Sequence, residues 1–124
     1  MVRLDRDPEG SGPVVRGFAA DGFVVDGRAY PALLLSPLGA QGWAAAPKAA
    51  LTIEAFGPLL ALEPPPEFLL LGTGPRLVHP PRALREALAG LGIGLEVMDS
   101  RAAARAWGLL RGEERWIVAA LMPL

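Results

Sequence analysis

The C-terminal half of the chain alternates short apolar runs with amphipathic segments, and this alternation limits the fold more than any other feature. Phe68–Leu71 is fully apolar, Leu95–Met98 is a second short strand candidate that contains Glu96, and Trp116–Leu121 is a last apolar run. Apolar runs of this length without a period of two are typical of strands that are buried on both faces. Strands that alternate with helices pair in parallel through right-handed crossovers. The pattern therefore predicts a β-α-β-α-β core.

The two segments between these runs have helical periodicity. In Pro81–Leu91 the apolar residues recur at helical spacing, and proline suits the first turn of a helix. Asp99 or Ser100 is suited to be the N-cap of the second helix. On that helix we expect Arg101 and Arg105 to lie on the outward face.

The N-terminal half consists of short extended pieces and turns. Asp21-Gly22 and Asp26-Gly27 lie between apolar runs, and Asp-Gly is a strong hairpin signal because glycine supplies the positive φ of a type I′ turn. The predicted antiparallel strands are Val14–Phe18, Phe23–Val25 and Arg28–Leu35. A short helix with Thr52 as N-cap follows.

These patterns predict one α/β domain over residues 1–124. We expect a mixed sheet in which the C-terminal β-α-β-α-β core supplies the parallel strands and the N-terminal hairpins add antiparallel strands. Residues 1–12 are polar, and we expect them to be a flexible N-terminal segment without the apolar core of a signal peptide.

Composition excludes several kinds of site. The chain has no cysteine and a single histidine, which argues against disulfides, thiolate chemistry, zinc–cysteine centres and any histidine-rich metal site, so we predict no metal and no cofactor. A formal net charge of -1 gives no basic excess for nucleic acid. The uncharged stretch 30–47 contains three prolines and cannot be one membrane-spanning helix. We expect a soluble, cytoplasmic protein without membrane insertion.

A candidate ligand site follows from the predicted topology. The loops at the carboxyl ends of parallel strands form the crevice in which ligands bind in open sheets. These loops bring together backbone donors, two hydroxyls, a carboxylate and a guanidinium. The candidate residues are Gly72, Thr73, Gly74, His79, Asp99, Ser100 and Arg101.

Two interpretations of Gly72-Thr73-Gly74 are open. Glycines allow a backbone to approach a phosphate closely. A dinucleotide fingerprint, however, needs a third glycine at the start of the helix, and seven residues separate Gly74 from Arg82 here. The alternative is that the glycines let a buried strand turn sharply.

The sequence contains no complete catalytic constellation. His79 and Asp99 could form an acid–base pair, because histidine titrates near neutral pH. No Gly-x-Ser-x-Gly elbow surrounds Ser36 or Ser100, and Asp99 also suits a helix N-cap. We therefore predict no catalytic residue.

Trp43 is the candidate for contact with a partner. It lies in a Gly/Ala-rich stretch, where a tryptophan either packs over the sheet or is available to another protein. Tryptophan is enriched at the energetically dominant positions of interfaces.

Three segments resemble a known family. They are "LLLGTG", "PPRALREALAGLGIGLEVMDSRAAARAWGLL" and "GEERWIVAALMPL". They are similar to an uncharacterised domain family that includes the mitochondrial respiratory complex I assembly factor 3 and an adipogenesis-associated relative. The resemblance implies a single α/β domain with an added β-layer, which gives three layers. It implies no established catalytic activity, and for the mitochondrial member it implies assembly of a membrane complex through protein contacts.

Two functions remain as hypotheses. The first is a non-catalytic module that binds or assembles with an unidentified protein partner. The alternative is a protein that binds a small anion or a nucleotide in the crevice formed by Gly72–Gly74 and Asp99–Arg101, with weak hydrolytic activity.

Overall fold

A computed structural model describes residues 12–19, 22–44 and 51–124. The strands, in chain order, are β1 Gly17–Ala19, β2 Gly22–Val25, β3 Arg28–Tyr30, β4 Leu33–Ser36, β5 Gly39–Gly42, β6 Phe68–Gly72, β7 Gly94–Met98 and β8 Val118–Leu121. A 3-10 helix at Ile53–Phe56 precedes the α-helices α1 Gly57–Leu60, α2 Arg82–Gly90 and α3 Ser100–Gly112. The flexible segment predicted for residues 1–12 lies outside the described residues except for Gly12.

The predicted parallel core is present. The five-stranded sheet has the order β5-β4-β8-β6-β7, and β6 pairs in parallel with both β7 and β8. The chain leaves β6, crosses through α2 to β7 on one side, and returns through α3 to β8 on the other side. β4 pairs antiparallel with β5 and β8, which makes the sheet mixed. The α/β fold class is confirmed.

The N-terminal strands β1, β2 and β3 form a separate three-stranded antiparallel sheet. Asp26 and Gly27 join β2 to β3 with φ values of 51° and 78°, which are the two positive angles of the predicted type I′ turn. Asp21 lies outside the described residues, so the turn predicted at Asp21-Gly22 stays a prediction.

The prediction of one strand over Arg28–Leu35 is wrong. The segment is divided into β3, which belongs to the three-stranded sheet, and β4, which belongs to the five-stranded sheet. Pro31 stands between them. Proline has no N–H group to donate to a ladder, so the chain changes sheets at this point.

The short helix after Thr52 also differs from its prediction. It begins as a 3-10 helix, and Thr52 stands at the N-cap position without a side-chain capping hydrogen bond. The chain becomes α-helical only at Gly57, where Pro58 occupies the first turn. Phe56 and Leu59 are buried and anchor this segment to the core.

Two cores lie on opposite faces of the five-stranded sheet. On one face, Leu34 and Leu69 pack with Leu84 and Leu88 of α2 and with Phe56. Successive residues of a strand point to opposite faces, so the neighbouring residues of each strand fill the other core. There the residues that pack together are Phe23 and Val25 of β2, Leu33 and Leu35 of β4, Leu70 of β6, Ala119 and Leu121 of β8, and Ala103 and Trp107 of α3. The fold thus has three layers. The large sheet is the middle layer, α2 and the 3-10 helix cover one face, and α3 with the small sheet covers the other.

Candidate functional site

The carboxyl ends of the three parallel strands meet at one edge of the sheet. The Thr73 N–H donates to the carbonyl of Met98, at the end of β7, with an N···O distance of 2.9 Å. The Met122 N–H, just past β8, donates to the carbonyl of Gly72 at 2.9 Å. This edge, residues 72–74, 98–101 and 121–122, is hereafter the carboxyl edge.

Ser100 joins the loops of the carboxyl edge. Its side chain is fully buried, and its Oγ accepts a hydrogen bond from the Gly74 N–H and donates one to the Met122 carbonyl, each at 2.8 Å. The Ser100 N–H in turn donates to the Gly74 carbonyl at 2.8 Å. One residue therefore connects the start of α3 to the ends of β6 and β8.

Gly72 is required for this arrangement because α3 begins very close to it. A Cβ atom added at Gly72 would lie 2.8 Å from both Cα and Oγ of Ser100, and 3.0 Å from Leu121. Real Cβ atoms do not approach a neighbouring backbone so closely. Glycine here allows the helix to pack against the strand.

Thr73 holds the following loop in place. Its hydroxyl lies 2.8 Å from the Arg76 carbonyl and 3.3 Å from the Met98 carbonyl, either of which can accept its proton. The same oxygen accepts a hydrogen bond from the Val78 N–H at 3.0 Å. Thr73 is also buried; its hydroxyl holds the loop, and its backbone N–H holds the end of β7.

These bonds use the donors that a phosphate would need. The N–H groups of Thr73 and Gly74 are both bonded within the chain, to Met98 and to Ser100. An anion would have to break buried hydrogen bonds to reach them, which costs about 1–3 kcal/mol for each group left unsatisfied. The geometry therefore favours the interpretation of Gly72-Thr73-Gly74 as a structural turn. Anion binding at these residues stays a prediction.

The three charged or titratable candidates do not converge on one point. Asp99 is the N-cap of α3, as predicted, and its Oδ1 accepts a hydrogen bond from the Ala102 N–H at 2.9 Å. Arg101 is exposed, and its guanidinium lies 4.9 Å from the ring centre of Phe18. His79 is exposed in the loop after β6, and the described residues include no hydrogen bond or ion pair between it and Asp99.

The shifted pKa values lie away from the carboxyl edge. Arg115 holds the pKa of Glu67 below its ordinary value through a forked hydrogen bond, with distances of 2.8 Å and 3.1 Å to Oε1. Glu67 precedes β6 and Arg115 lies on the approach to β8, at the opposite ends of these strands. In the described part of the chain, no group of three or more acidic or histidine side chains could hold a metal ion.

Trp43 is engaged within the chain. Its indole N–H donates to the Ala55 carbonyl at 3.1 Å, and its ring centre lies 5.5 Å from that of Phe56. It packs against the core on the α2 side of the sheet and is partly buried. This contact gives Trp43 a structural role, and its contact with a partner stays a prediction.

Sequence reasoning missed the groups that complete these contacts. The acceptors for Thr73 and Ser100 are the backbone carbonyls of Met98 and Met122. Every residue has a carbonyl, so side-chain identity gives no signal for them. The contact between Phe18 and Arg101 joins the small sheet to the start of α3, elements far apart in the chain, and no local pattern indicates it.

This chain is similar to several known proteins. A family described as "Protein of unknown function (DUF498/DUF598)" matches residues 15–122. The zebrafish (Danio rerio) protein named NADH dehydrogenase [ubiquinone] 1 alpha subcomplex assembly factor 3 is 31% identical over 124 residues. That alignment covers 98% of this chain and 71% of the relative.

Solved structures share the fold. A crystal structure of a Bordetella parapertussis protein is 29% identical, with a TM-score of 0.82 over 94% of this chain and 100% of that one. A solution structure of a Bordetella pertussis protein described as a Mth938-like domain is 27% identical, with a TM-score of 0.78, covering 98% of this chain and 92% of that one. Among the residues described, no helix combines the length and apolarity needed to cross a bilayer.

Proposed function

We propose that this chain, which belongs to the DUF498/DUF598 family of proteins of unknown function, is a non-catalytic module that binds another protein during the assembly of a larger complex. The observation that carries the proposal is the similarity to an assembly factor along nearly the whole of this chain. An alignment of this extent includes both cores and the carboxyl edge, so we infer that the relative contains the same kind of domain.

The geometry of the carboxyl edge supports the same proposal. The hydroxyls of Thr73 and Ser100 and the N–H group of Gly74 form hydrogen bonds within the chain, and Ser100 and Thr73 are buried. Buried hydroxyls that satisfy backbone groups stabilise a scaffold. A rigid scaffold suits a module whose work is done at its surface.

Affinity capture tests the proposal. The tagged chain is incubated with a lysate of its own organism at about 150 mM salt, and the retained proteins are identified by mass spectrometry. We expect one or a few proteins at a constant ratio to the chain. A Gly72→Ala variant, in which the packing of α3 on β6 is disturbed, serves as the control and should retain less. A folded wild-type chain that retains nothing above an unrelated control would contradict the proposal.

A thermal-shift screen tests the anion-binding alternative separately. Inorganic phosphate, nucleotides and small carboxylates are added at millimolar concentration. A ligand at 100 times its dissociation constant would add about 2.7 kcal/mol of stability. We expect no shift, because the N–H donors of the carboxyl edge are already bonded. A shift that disappears in Arg101→Ala would favour the alternative.

We further propose that the chain works in the cytoplasm. Fractionation of its own cells, followed by immunodetection, tests this location.

A further inference from the structure

Apart from the contact of Arg101 with Phe18, no contact among the described residues explains the composition of the outward face of α3. Arg101, Arg105, Gly108, Leu109 and Gly112 lie along it. Successive residues of a helix advance by about 100°, so these five fall within an arc of about 100°. With a rise of about 1.5 Å per residue, the stripe is about 16 Å long. We call this stripe the outer face of α3.

The two arginines make the helix less stable when it is considered alone. Arg101 lies in the first turn, where the positive end of the helix dipole disfavours a cation. Arg105 lies four residues later, and like charges at this spacing destabilise a helix. Neither forms an ion pair within the described residues. Arg101 stacks on Phe18, whereas no such ring contact is found for Arg105.

The C-terminal half of the stripe is also locally unfavourable. Gly108 stands inside the helix, where glycine costs about 1 kcal/mol relative to alanine. A Cβ atom added at Gly108 or Gly112 would meet nothing within 4 Å. Among the residues that the structure describes, no close approach therefore requires these glycines. Between them, Leu109 is 72% exposed.

Each of these features would be favourable if a helix from another protein lay along the stripe. Two unpaired guanidiniums one turn apart match two carboxylates at the same spacing. Glycines without neighbours let a second backbone come close, and the exposed leucine would be buried. Proteins break local rules in this way mainly at functional sites.

The charge of the stripe indicates which helix this is. α3 contains three arginines and no carboxylate between Ser100 and Gly112. A second copy of α3 would offer these guanidiniums no carboxylate in either packing direction, so a second copy of α3 does not fit. We propose that the outer face of α3 binds an acidic amphipathic helix of a partner protein. This proposal rests on the proposed function and deepens it by giving the surface and the chemistry of the partner.

Matched variants test the surface in the capture experiment. Arg105→Glu reverses a charge on the stripe, and Gly108→Leu fills the open space above it. Their controls are on α2: Arg82→Glu reverses an exposed charge, and Gly90→Leu replaces a helical glycine that also has nothing within 4 Å. We expect the stripe variants to retain at least tenfold less partner, and the α2 variants to behave as wild type. Circular dichroism and the melting midpoint verify that all four fold.

Photo-cross-linking tests the chemistry. A photoreactive amino acid replaces Leu109, and mass spectrometry identifies the segment that becomes attached. We expect a helix with carboxylates four residues apart, and a synthetic peptide of that segment should bind Arg105→Glu at least tenfold more weakly than wild type. Reversing the peptide's carboxylates to lysine should restore binding to Arg105→Glu.

The outcomes separate the two proposals. If the wild-type chain retains no protein, the proposed function fails and the surface proposal fails with it. If a partner is retained equally by the stripe and α2 variants, the surface proposal fails and the proposed function stands. A cross-linked segment without carboxylates, or one from a second copy of this chain, overturns the proposed chemistry.

Discussion

At the residue scale, Ser100 and Gly72 explain why the carboxyl edge is closed. The buried Ser100 hydroxyl connects the loops after β6 and β8, and Gly72 allows α3, which begins at Ser100, to pack against β6. The same residue types, serine and glycine after a strand, are typical of phosphate sites. Here the distances show that they bind each other, and the burial of Ser100 leaves its oxygen without access to water.

Replacing Ser100 with alanine should destabilise the fold by at least about 2 kcal/mol. The change leaves the Gly74 N–H and the Met122 carbonyl buried without a partner, and each such group costs about 1–3 kcal/mol. Urea unfolding measures the change. Ser36→Ala is the control, because the Ser36 hydroxyl accepts only an exposed turn N–H, from Leu38, and it should change stability by less than about 0.5 kcal/mol. Equal effects of the two substitutions would argue against the linking role of Ser100.

Gly72→Ala should also destabilise the fold, by about 1–3 kcal/mol, because overpacking forces buried groups apart. The added methyl would lie 2.8 Å from the Ser100 backbone, which cannot move without shifting α3. Gly42→Ala on β5 is the control, since nothing lies within 4 Å of the added atom. A Gly72→Ala protein as stable as wild type would show that the helix is less tightly packed than described.

At the element scale, the two faces of α3 differ. Residues of the inner face pack in a core, whereas the fold does not require the residues of the outer face. The inner face of α3, with Ala103 and Trp107, fills a core, and the indole N–H of Trp107 donates to the Pro13 carbonyl at 2.8 Å. On its outer face, the described residues show one contact, between Arg101 and the ring of Phe18. The two faces therefore respond to substitution in opposite ways.

Gly108→Ala should stabilise the protein by about 1 kcal/mol, because alanine is the better helix former and the added atom meets nothing. Thermal unfolding measures the gain. Gly92→Ala is the contrasting variant: Gly92 has φ of 78°, a conformation that alanine adopts only at a cost of about 1–2 kcal/mol. A loss of stability in Gly108→Ala would mean that this glycine is required by the fold itself.

The contact between the starts of β6 and β8 predicts a pH dependence. Arg115 lowers the pKa of Glu67 in the folded chain, so the stability that this pair contributes is present above the unfolded pKa of the carboxyl group. It is lost as the pH falls through the lowered folded value. Stability measured between pH 7 and pH 3 should therefore fall less steeply in Glu67→Gln than in wild type. Identical slopes would show that the pair makes no contribution, as is common for exposed ion pairs.

The elements themselves were predicted well where the pattern was strong. The apolar runs predicted β6 and β8, because burial on both faces of a strand leaves a clear mark in the sequence, and the helical periods predicted α2 and α3. The edge strand β7, in which Glu96 is exposed, was predicted from its position between the two helices. Asp26-Gly27 predicted a hairpin turn because a type I′ turn needs positive φ angles, which these residues adopt. The change of sheet at Pro31 was missed, since a proline between two apolar runs also occurs at the edge of a single strand.

The candidate site was less accessible to sequence reasoning. The topology correctly placed Gly72, Gly74 and Ser100 at one edge, but it could not show whether their polar groups face a ligand or one another. That depends on distances between residues 26 positions apart, such as Gly74 and Ser100. Gly108 and Leu109 gave no signal alone, because a glycine or an exposed leucine is informative only when its surroundings are known.

At the scale of the whole molecule, both cores and the carboxyl edge are held by buried contacts, and the features that the fold does not explain lie on the surface. This distribution is what a binding module needs. The zebrafish relative's role as an assembly factor agrees with it. We propose that this chain acts in contact with another protein.

The most direct measurement is the size of the untagged chain in a gentle lysate of its own cells, determined by size-exclusion chromatography with quantitative mass spectrometry of each fraction. We expect a substantial part of the chain to elute well above its mass of 13.0 kDa, together with another protein at a fixed ratio. We also expect Arg105→Glu at the same expression level to move to smaller size. Elution of all the wild-type chain as a monomer, or as copies of itself alone, would contradict the account.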